Sequence, residues 1–215
     1  MEVHVTGFGP FEGVPINPTT TLAESVREEE GVGSVQILKV AVAEADSDLE
    51  ELLAQVALPI GSEASAEEKG RNTIVLHMGV AGKAKAFRLE SRGYNEANFR
   101  VPDENGVVME HAPIDPSEAT DVWHSSMLDV DALCVALRGD MPALGLDPDQ
   151  VVVSHDAGRF LCNYVYFRSL SAARRSSNLH ALFLHVPPVD VVPIDLQLLF
   201  VKTLIQHLVS PSTAS

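Results

Sequence analysis

Five runs of strand length recur along this chain, each continuously apolar rather than alternating: Val3 to Thr6, Val35 to Val40, Thr73 to Met78, Val151 to Ser154 and Ala181 to Val186. An unbroken apolar run of this length suits a strand covered on both faces. Segments of helical period separate them, at Thr19 to Glu29, Asp46 to Val56, Val130 to Arg138, Phe160 to Arg175 and Asp195 to Leu208. Strands alternating with helices predict an α/β fold built on a mostly parallel sheet. In the last helix Leu196, Leu199, Phe200, Thr203, Leu204 and His207 form a stripe at i, i+3, i+4 spacing that is expected to pack on the sheet, with Asp195 near its N-terminus.

A chain of 215 residues buries one substantial core. A single domain is expected over 1–209, followed by a disordered tail, SPSTAS, at 210–215. The polar stretch Pro59 to Arg71 reads as a surface connection leading into the third strand. From Arg88 to Ser117 the pattern turns irregular and rich in Asn, Asp, Glu, Gly and Pro, which suggests an excursion beside the sheet with a short hairpin.

The formal net charge of −15 repels phosphate backbones and anionic lipid headgroups, so neither nucleic acid nor a membrane is an expected partner. No apolar run approaches the roughly 20 residues that span a bilayer. The opening MEVHVTGFGPFEG has neither a basic nor a long apolar region, so the protein reads as cytosolic. Its two cysteines, Cys134 and Cys162, are too few for a disulfide framework and are expected to remain thiols.

In an open parallel sheet ligands bind beyond the carboxyl ends of the strands, so unusual residues are sought there. After the first strand comes TGFGPFEGVPINPT, where Phe8 and Phe11 are placed to wall a pocket. After the third comes GVAGKAKAFRLESRGYNE, with Glu90 among Lys83, Lys85, Arg88 and Arg92. After the fourth comes DAGRFLCNYVYF, which puts Cys162 in the first turn of a helix; His185 stands at the end of the fifth, just before Pro187 and Pro188. Carboxylate, thiol and imidazole are the inventory of a triad. A thiolate is the effective nucleophile, an imidazole takes its proton and later protonates the leaving amine, and a carboxylate holds the ring. A helix N-terminus favours thiolate, and first-turn N–H groups around Leu161 and Cys162 suit an oxyanion.

Plainer readings stand beside these. A buried cysteine is commonly a small hydrophobe, which is the reading for Cys134 in DALCVAL and remains open for Cys162 taken alone. His180 and His185, five apart, face opposite sides of one strand and share no metal. No Cys or His cluster has zinc spacing, so no metal or cofactor is expected. GFGP lacks both phosphate-loop patterns. Glu28 to Glu30 and Asp46 to Glu51 read as solvated helix faces, and Lys83, Lys85 and Arg88 as a solvated loop.

Four segments together are similar to the pyroglutamyl peptidase I (pyrrolidone carboxylate peptidase) family: VTGFGPFEG with INPT, then GVAGKAKAFRLESRGYNEANFRVPDENG, then SHDAGRFLCNYVYF, and LFLHVPP. The resemblance runs from about Val3 to the final helix, and DAGRFLCNYVYFRSL and NEANFRVPDENG look closer to eukaryotic members. It implies a three-layer α/β/α sandwich of the phosphorylase/hydrolase class and a metal-free thiol exopeptidase that removes N-terminal pyroglutamate from small peptides. It implies Cys162 as nucleophile, His185 as base and then acid, and Glu90 as the group orienting that ring. Phe8 and Phe11 would enclose the lactam, with Phe160, Leu161 and Val101 near the same pocket, Arg100 by the active site, and Asn17 holding its loop in shape. A monomer is favoured over an oligomer, as for eukaryotic members.

Two departures bear on affinity and pH optimum. Bacterial relatives usually read Gly-Gln-Ala-Gly-Gly-Arg where this chain has Gly79, Val80, Ala81, Gly82, Lys83 and Ala84, so Val80 offers the lactam backbone contacts without a glutamine side chain. His155 and Asp156 replace Asn-Thr and bring ionisable groups near Cys162. The rival readings are a nucleoside phosphorylase-like enzyme on the related fold and a homologue that binds pyroglutamyl peptides without cutting them.

Overall fold

The computed structural model describes residues 1–11, 13–61, 63, 65 and 72–210. Most of the expected connection up to Arg71, and the tail from 211 onward, lie outside the described residues. The first four elements are β1 (Glu2–Phe8), α1 (Pro18–Ser25), β2 (Val32–Leu38) and α2 (Val42–Val56). Next come β3 (Thr73–Val80), β4 (Phe87–Glu90), β5 (Arg92–Tyr94), β6 (Trp123–Ser125) and α3 (Val130–Asp140). After two short 3-10 turns follow β7 (Val151–Ser154), α4 (Leu161–Ala173), β8 (Leu179–Val186) and α5 (Ile194–Val209).

Six strands form one sheet in the order β2-β1-β3-β8-β4-β7. β2, β1, β3 and β8 are parallel, whereas β4 is antiparallel to β8 and parallel to β7. The expected α/β class with a mostly parallel sheet therefore holds, and one detail is corrected. Glu90 is not in a loop beyond a strand end; it is the last residue of β4, paired with Phe183. The reason is chain length. Only six residues, 81–86, separate β3 from β4, too few to return to the far end of the sheet as a parallel crossover needs. The chain turns back through a bond from Ala84 N–H to Ala81 C=O, and β4 must start where β3 stopped.

The pleat sorts side chains by parity. Val3, Val5, Ile74, Leu76, Met78, Phe87, Leu89, Leu182 and Leu184 face α1, α3 and α5 in one core layer. Ala181 and Phe183 face α2 and α4 in the other, with Phe8, Leu38 and Leu49. His77, Gly79, Arg88, Glu90 and His185 belong by register to this second face. Gly7 lets α1 ride against β1: an added Cβ would lie 2.3 Å from the Thr19 carbonyl oxygen.

The irregular stretch after Arg88 resolves into β5, which pairs with the distant β6 as a two-stranded ribbon rather than a local hairpin. Asn163 of α4 binds it, accepting from Tyr94 N–H at 2.8 Å and donating to Tyr94 and Glu96 carbonyls at 2.8 and 2.9 Å. Covered by sheet, α2 and ribbon, α4 is buried along most of its length. The stripe expected for α5 is displaced. Its buried side chains are Gln197, Phe200, Val201, Leu204, Ile205 and Leu208, and Leu199 is 45% exposed. Asp195, Lys202, Thr203, Gln206 and His207 are not among the buried residues, and the expected stripe, which took in Thr203 and His207, ran along their edge of the helix. Among the described residues no helix is long and apolar enough to cross a membrane.

Candidate active site

Cys162 is the second residue of α4, which enters from an extended Phe160. No side chain caps this helix, so no cap claims its first N–H groups. The thiol is partly exposed and sits over the end of β3, close above Gly79. Gly79 pairs in register with His185, the penultimate residue of β8. His185 is buried, and its Nδ1 lies 2.8 Å from Glu90 Oε1. Its other nitrogen is left for Cys162, which lines the same cleft and is among the groups that raise the ring's pKa. Three side chains far apart in the chain thus come together, with Glu90 bonded to His185 and His185 lining one cleft with Cys162.

The electrostatics follow from burial and pairing. Desolvation alone would lower His185, but the hydrogen bonds and charges of Cys162 and Glu90 outweigh it and carry its pKa up to about 9. The raised pKa favours the imidazolium, whose Nδ1–H faces Glu90. Glu90 is fully buried and its Oε2 has no partner among the described residues, so the imidazolium is what offsets the cost of a desolvated carboxylate. Tyr166 Oη donates to the Glu90 carbonyl at 2.6 Å and fixes the strand end that carries it. His77, beneath the site, is the opposite case. It is bonded to Thr6 and Ser169, and desolvation alone lowers it to about 3, so it stays neutral.

His185 sets the pH behaviour expected of the site. Its folded pKa lies above the ordinary value of 6.5, so its contribution to stability is complete below pH 6.5 and is lost as pH rises through about 9. The proton required by a leaving group vanishes over the same range. A kcat/KM profile should fall on its alkaline side near pH 9, and chemical denaturation should show stability lower at pH 10 than at pH 6.

A cleft of about 950 Å³ opens over the sulfur. Of the residues expected at the pocket, Phe8, Phe11, Val80, Arg100, Phe160 and Leu161 line it together with Cys162 and His185. Val101 does not: it is 46% exposed and lies outside the lining, because the chain turns its side chain to solvent after Arg100. Phe160 packs edge-on against Phe99 with ring centroids 4.7 Å apart. Asn17 caps α1, its Oδ1 accepting from Thr19 N–H at 3.1 Å, and its Nδ2 donates to the Gly9 carbonyl at 3.0 Å. Phe8, expected in a loop, is the buried last residue of β1, and that pair of bonds ties the loop after it, which carries Phe11, to the helix that follows.

The two new ionisable groups have partners of their own. His155 is bonded to the Ser91 hydroxyl, and Asp156 pairs at 2.6 Å with Arg159. Arg159 also holds Glu96 at 2.9 Å and lies 4.0 Å over the Tyr94 ring, so it staples the loop that delivers Cys162. Cys134 is buried, and desolvation pushes its thiol up, as expected of an inert cysteine. No group of three or more His, Cys, Asp or Glu among the described residues is placed to hold a metal ion.

Sequence reasoning missed Gly79. A Cβ there would lie 2.9 Å from Cys162 Sγ and 2.9 Å from Phe183 Cζ. A glycine next to the end of a strand of otherwise larger side chains was the available signal, since it marks close approach from above. Phe183 is locked in the core, so Gly79→Ala should displace the first turn of α4. We expect kcat to fall about a hundredfold, as small misplacements of reacting groups do, with the far-ultraviolet circular dichroism unchanged. Gly139→Ala, where a Cβ meets nothing within 4 Å, is the control.

A thiol on a helix's first turn, an imidazole between it and a buried carboxylate, and a cleft walled in part by aromatic side chains on an α/β sheet define a cysteine-type hydrolase. The family model for pyroglutamyl peptidase matches residues 1–204. Pyroglutamyl-peptidase 1 of Rattus norvegicus is 32% identical over 192 residues, covering 87% of this chain and 79% of that protein. The pyrrolidone-carboxylate peptidase of Pyrococcus furiosus is 31% identical over 202 residues, covering 91% and 85%. The crystal structure of pyrrolidone carboxyl peptidase from Thermus thermophilus superposes with a TM-score of 0.74 at 26% identity, covering 95% of this chain and 99% of that one. The chain belongs to the pyroglutamyl peptidase family.

Proposed function

We propose that this protein hydrolyses the amide bond after an N-terminal pyroglutamyl residue of small peptides, through a thioester on Cys162. The observation that carries this reading is the His185 ring held between Glu90 and Cys162 at the floor of a cleft walled by Phe8, Phe11 and Phe160. The Cys162 thiolate attacks the acyl carbon, and the developing oxyanion takes first-turn N–H groups of α4. The C–N bond then breaks as His185 gives its proton to the departing nitrogen. Neutral His185 next takes a proton from water, which attacks the thioester; free pyroglutamate leaves and the thiolate–imidazolium pair returns. Glu90 orients the ring throughout.

The lactam explains the choice of substrate. A pyroglutamyl terminus is uncharged, and a carboxylate built to clamp an α-ammonium would be left desolvated and unpaired by it. Apolar walls with backbone hydrogen bonds, including those at Val80, suit the ring and disfavour a charged linear terminus. A reducing, cytosolic setting keeps Cys162 as a thiol, and the active unit is a monomer.

The test is turnover of a pyroglutamyl fluorogenic amide against the glutamyl and prolyl amides, with and without phosphate and with chelator. Cleavage of the first alone, indifferent to phosphate and chelator and stopped by iodoacetamide, is the expected result. Dependence on phosphate would move the protein to the phosphorylases. Binding without turnover, with Cys162 inert to iodoacetamide, would make it a binding homologue.

A further inference from the structure

The sequence placed Arg88 in a solvated loop, and the fold moves it. It lies on β4 directly opposite His185 of β8, and residues facing each other across antiparallel strands project to the same side of the sheet. Arg88 is half-buried there and lines the cleft. Among the described residues it makes no ion pair. Even the carboxylate on its own strand is not its partner, since Glu90 bonds His185 and Glu90 Oε2 stands alone. Lys83, in the turn after β3, lines the same cleft and is also unpaired among the described residues.

The charge around them is unusual for this chain. Four cationic side chains, Lys83, Arg88, Arg100 and Arg159, line the cleft against two carboxylates, Asp156 and Asp190, in a protein of net charge −15. Arg159 and Asp156 neutralise each other. Asp190 is exposed in the connection after β8, where solvent weakens its field, whereas Arg88 is held partly out of water beside the catalytic ring.

Register also says which part of a substrate meets Arg88. Across the sheet the order is Gly79 beneath the sulfur, then His185, then Arg88. The acyl group attached to sulfur occupies the side of Phe8 and Phe11, and His185 delivers its proton to the leaving nitrogen. The leaving segment is thus on the Arg88 side. Resting on the activity proposed above, we infer that Arg88, aided by Lys83, is a specificity residue that reads a carboxylate on the residue following pyroglutamate. Two sources carry that group one residue beyond the scissile nitrogen: the terminal carboxylate of a pyroglutamyl dipeptide, or an acidic side chain.

Two substrate pairs separate the sources. Pyroglutamyl-alanine is compared with its C-terminal amide, and pyroglutamyl-glutamate amide with pyroglutamyl-glutamine amide. We expect kcat/KM to favour the acidic member about tenfold in at least one pair, as a charge-assisted contact does, and the preference to shrink as salt rises. In Arg88→Gln the ratio should fall to about one, and in Arg88→Glu it should invert. Any disturbance of the triad scales both members alike, so the ratio isolates the subsite. Equal turnover within both pairs, or a preference that survives Arg88→Gln, overturns the inference while leaving the activity standing. No turnover of any of the four peptides overturns the activity itself.

Discussion

Cys162→Ala is expected to retain the fold and to lose at least about 10⁴-fold in kcat/KM toward a pyroglutamyl amide. Removing a nucleophile costs on that order because no other group forms the covalent intermediate, and the remaining contacts supply only residual rate. The sulfur is partly exposed at a helix start, so its loss leaves little cavity, and thermal unfolding should change by only a few degrees. A second readout separates this mechanism from general damage. The interaction with Cys162 is the largest single influence raising His185, ahead of that with Glu90, so the ring in Cys162→Ala should titrate below about 9. A proton NMR titration of the imidazole checks this. Undiminished turnover by the alanine variant would remove the thioester from the reaction.

Glu90→Gln should cost about 10² to 10⁴ in kcat, with a smaller change in KM. The loss comes from orientation and charge rather than from the bond-making group. Glutamine preserves the volume, but it no longer balances an imidazolium, and its amide nitrogen facing Nδ1 would select the wrong tautomer. The opposite amide orientation places the NH2 group where Oε2 stands, a buried position without a partner among the described residues. An unsatisfied buried donor costs about 1–3 kcal/mol, so the variant should also unfold at a lower temperature. The diagnostic sign is in the pH profile. Without the carboxylate charge the alkaline limb should move below pH 9. A variant with wild-type kcat and an unmoved limb would show that Glu90 has no part in holding the ring.

Some of this site was legible in the order of residues and some was not, and the division is physical. Cys162 was readable because a glycine-containing loop followed by a helical period fixes a helix start locally. His185 was readable because Pro187 and Pro188 end its strand. Glu90 was nominated by residue type, but its placement depended on the reversal of β4, which follows from six linking residues and from where β8 inserts. The ribbon of β5 and β6 escaped prediction because its strands are three residues each and lie far apart in sequence. Val101, assigned to the pocket by resemblance, is turned outward by its local backbone.

Local chemistry alone set the strand and helix periods, the α/β class, the thiol at a helix start and the imidazole at a strand end. Those depend on neighbours a few residues away. Assembly of the sheet settled the direction of β4, the pairing of Glu90 with His185, the seat of sulfur over Gly79 and the approach of Arg88 to the cleft. Each of these joins groups separated by up to about a hundred positions, and which of them meet depends on strand order and register, which no local pattern encodes.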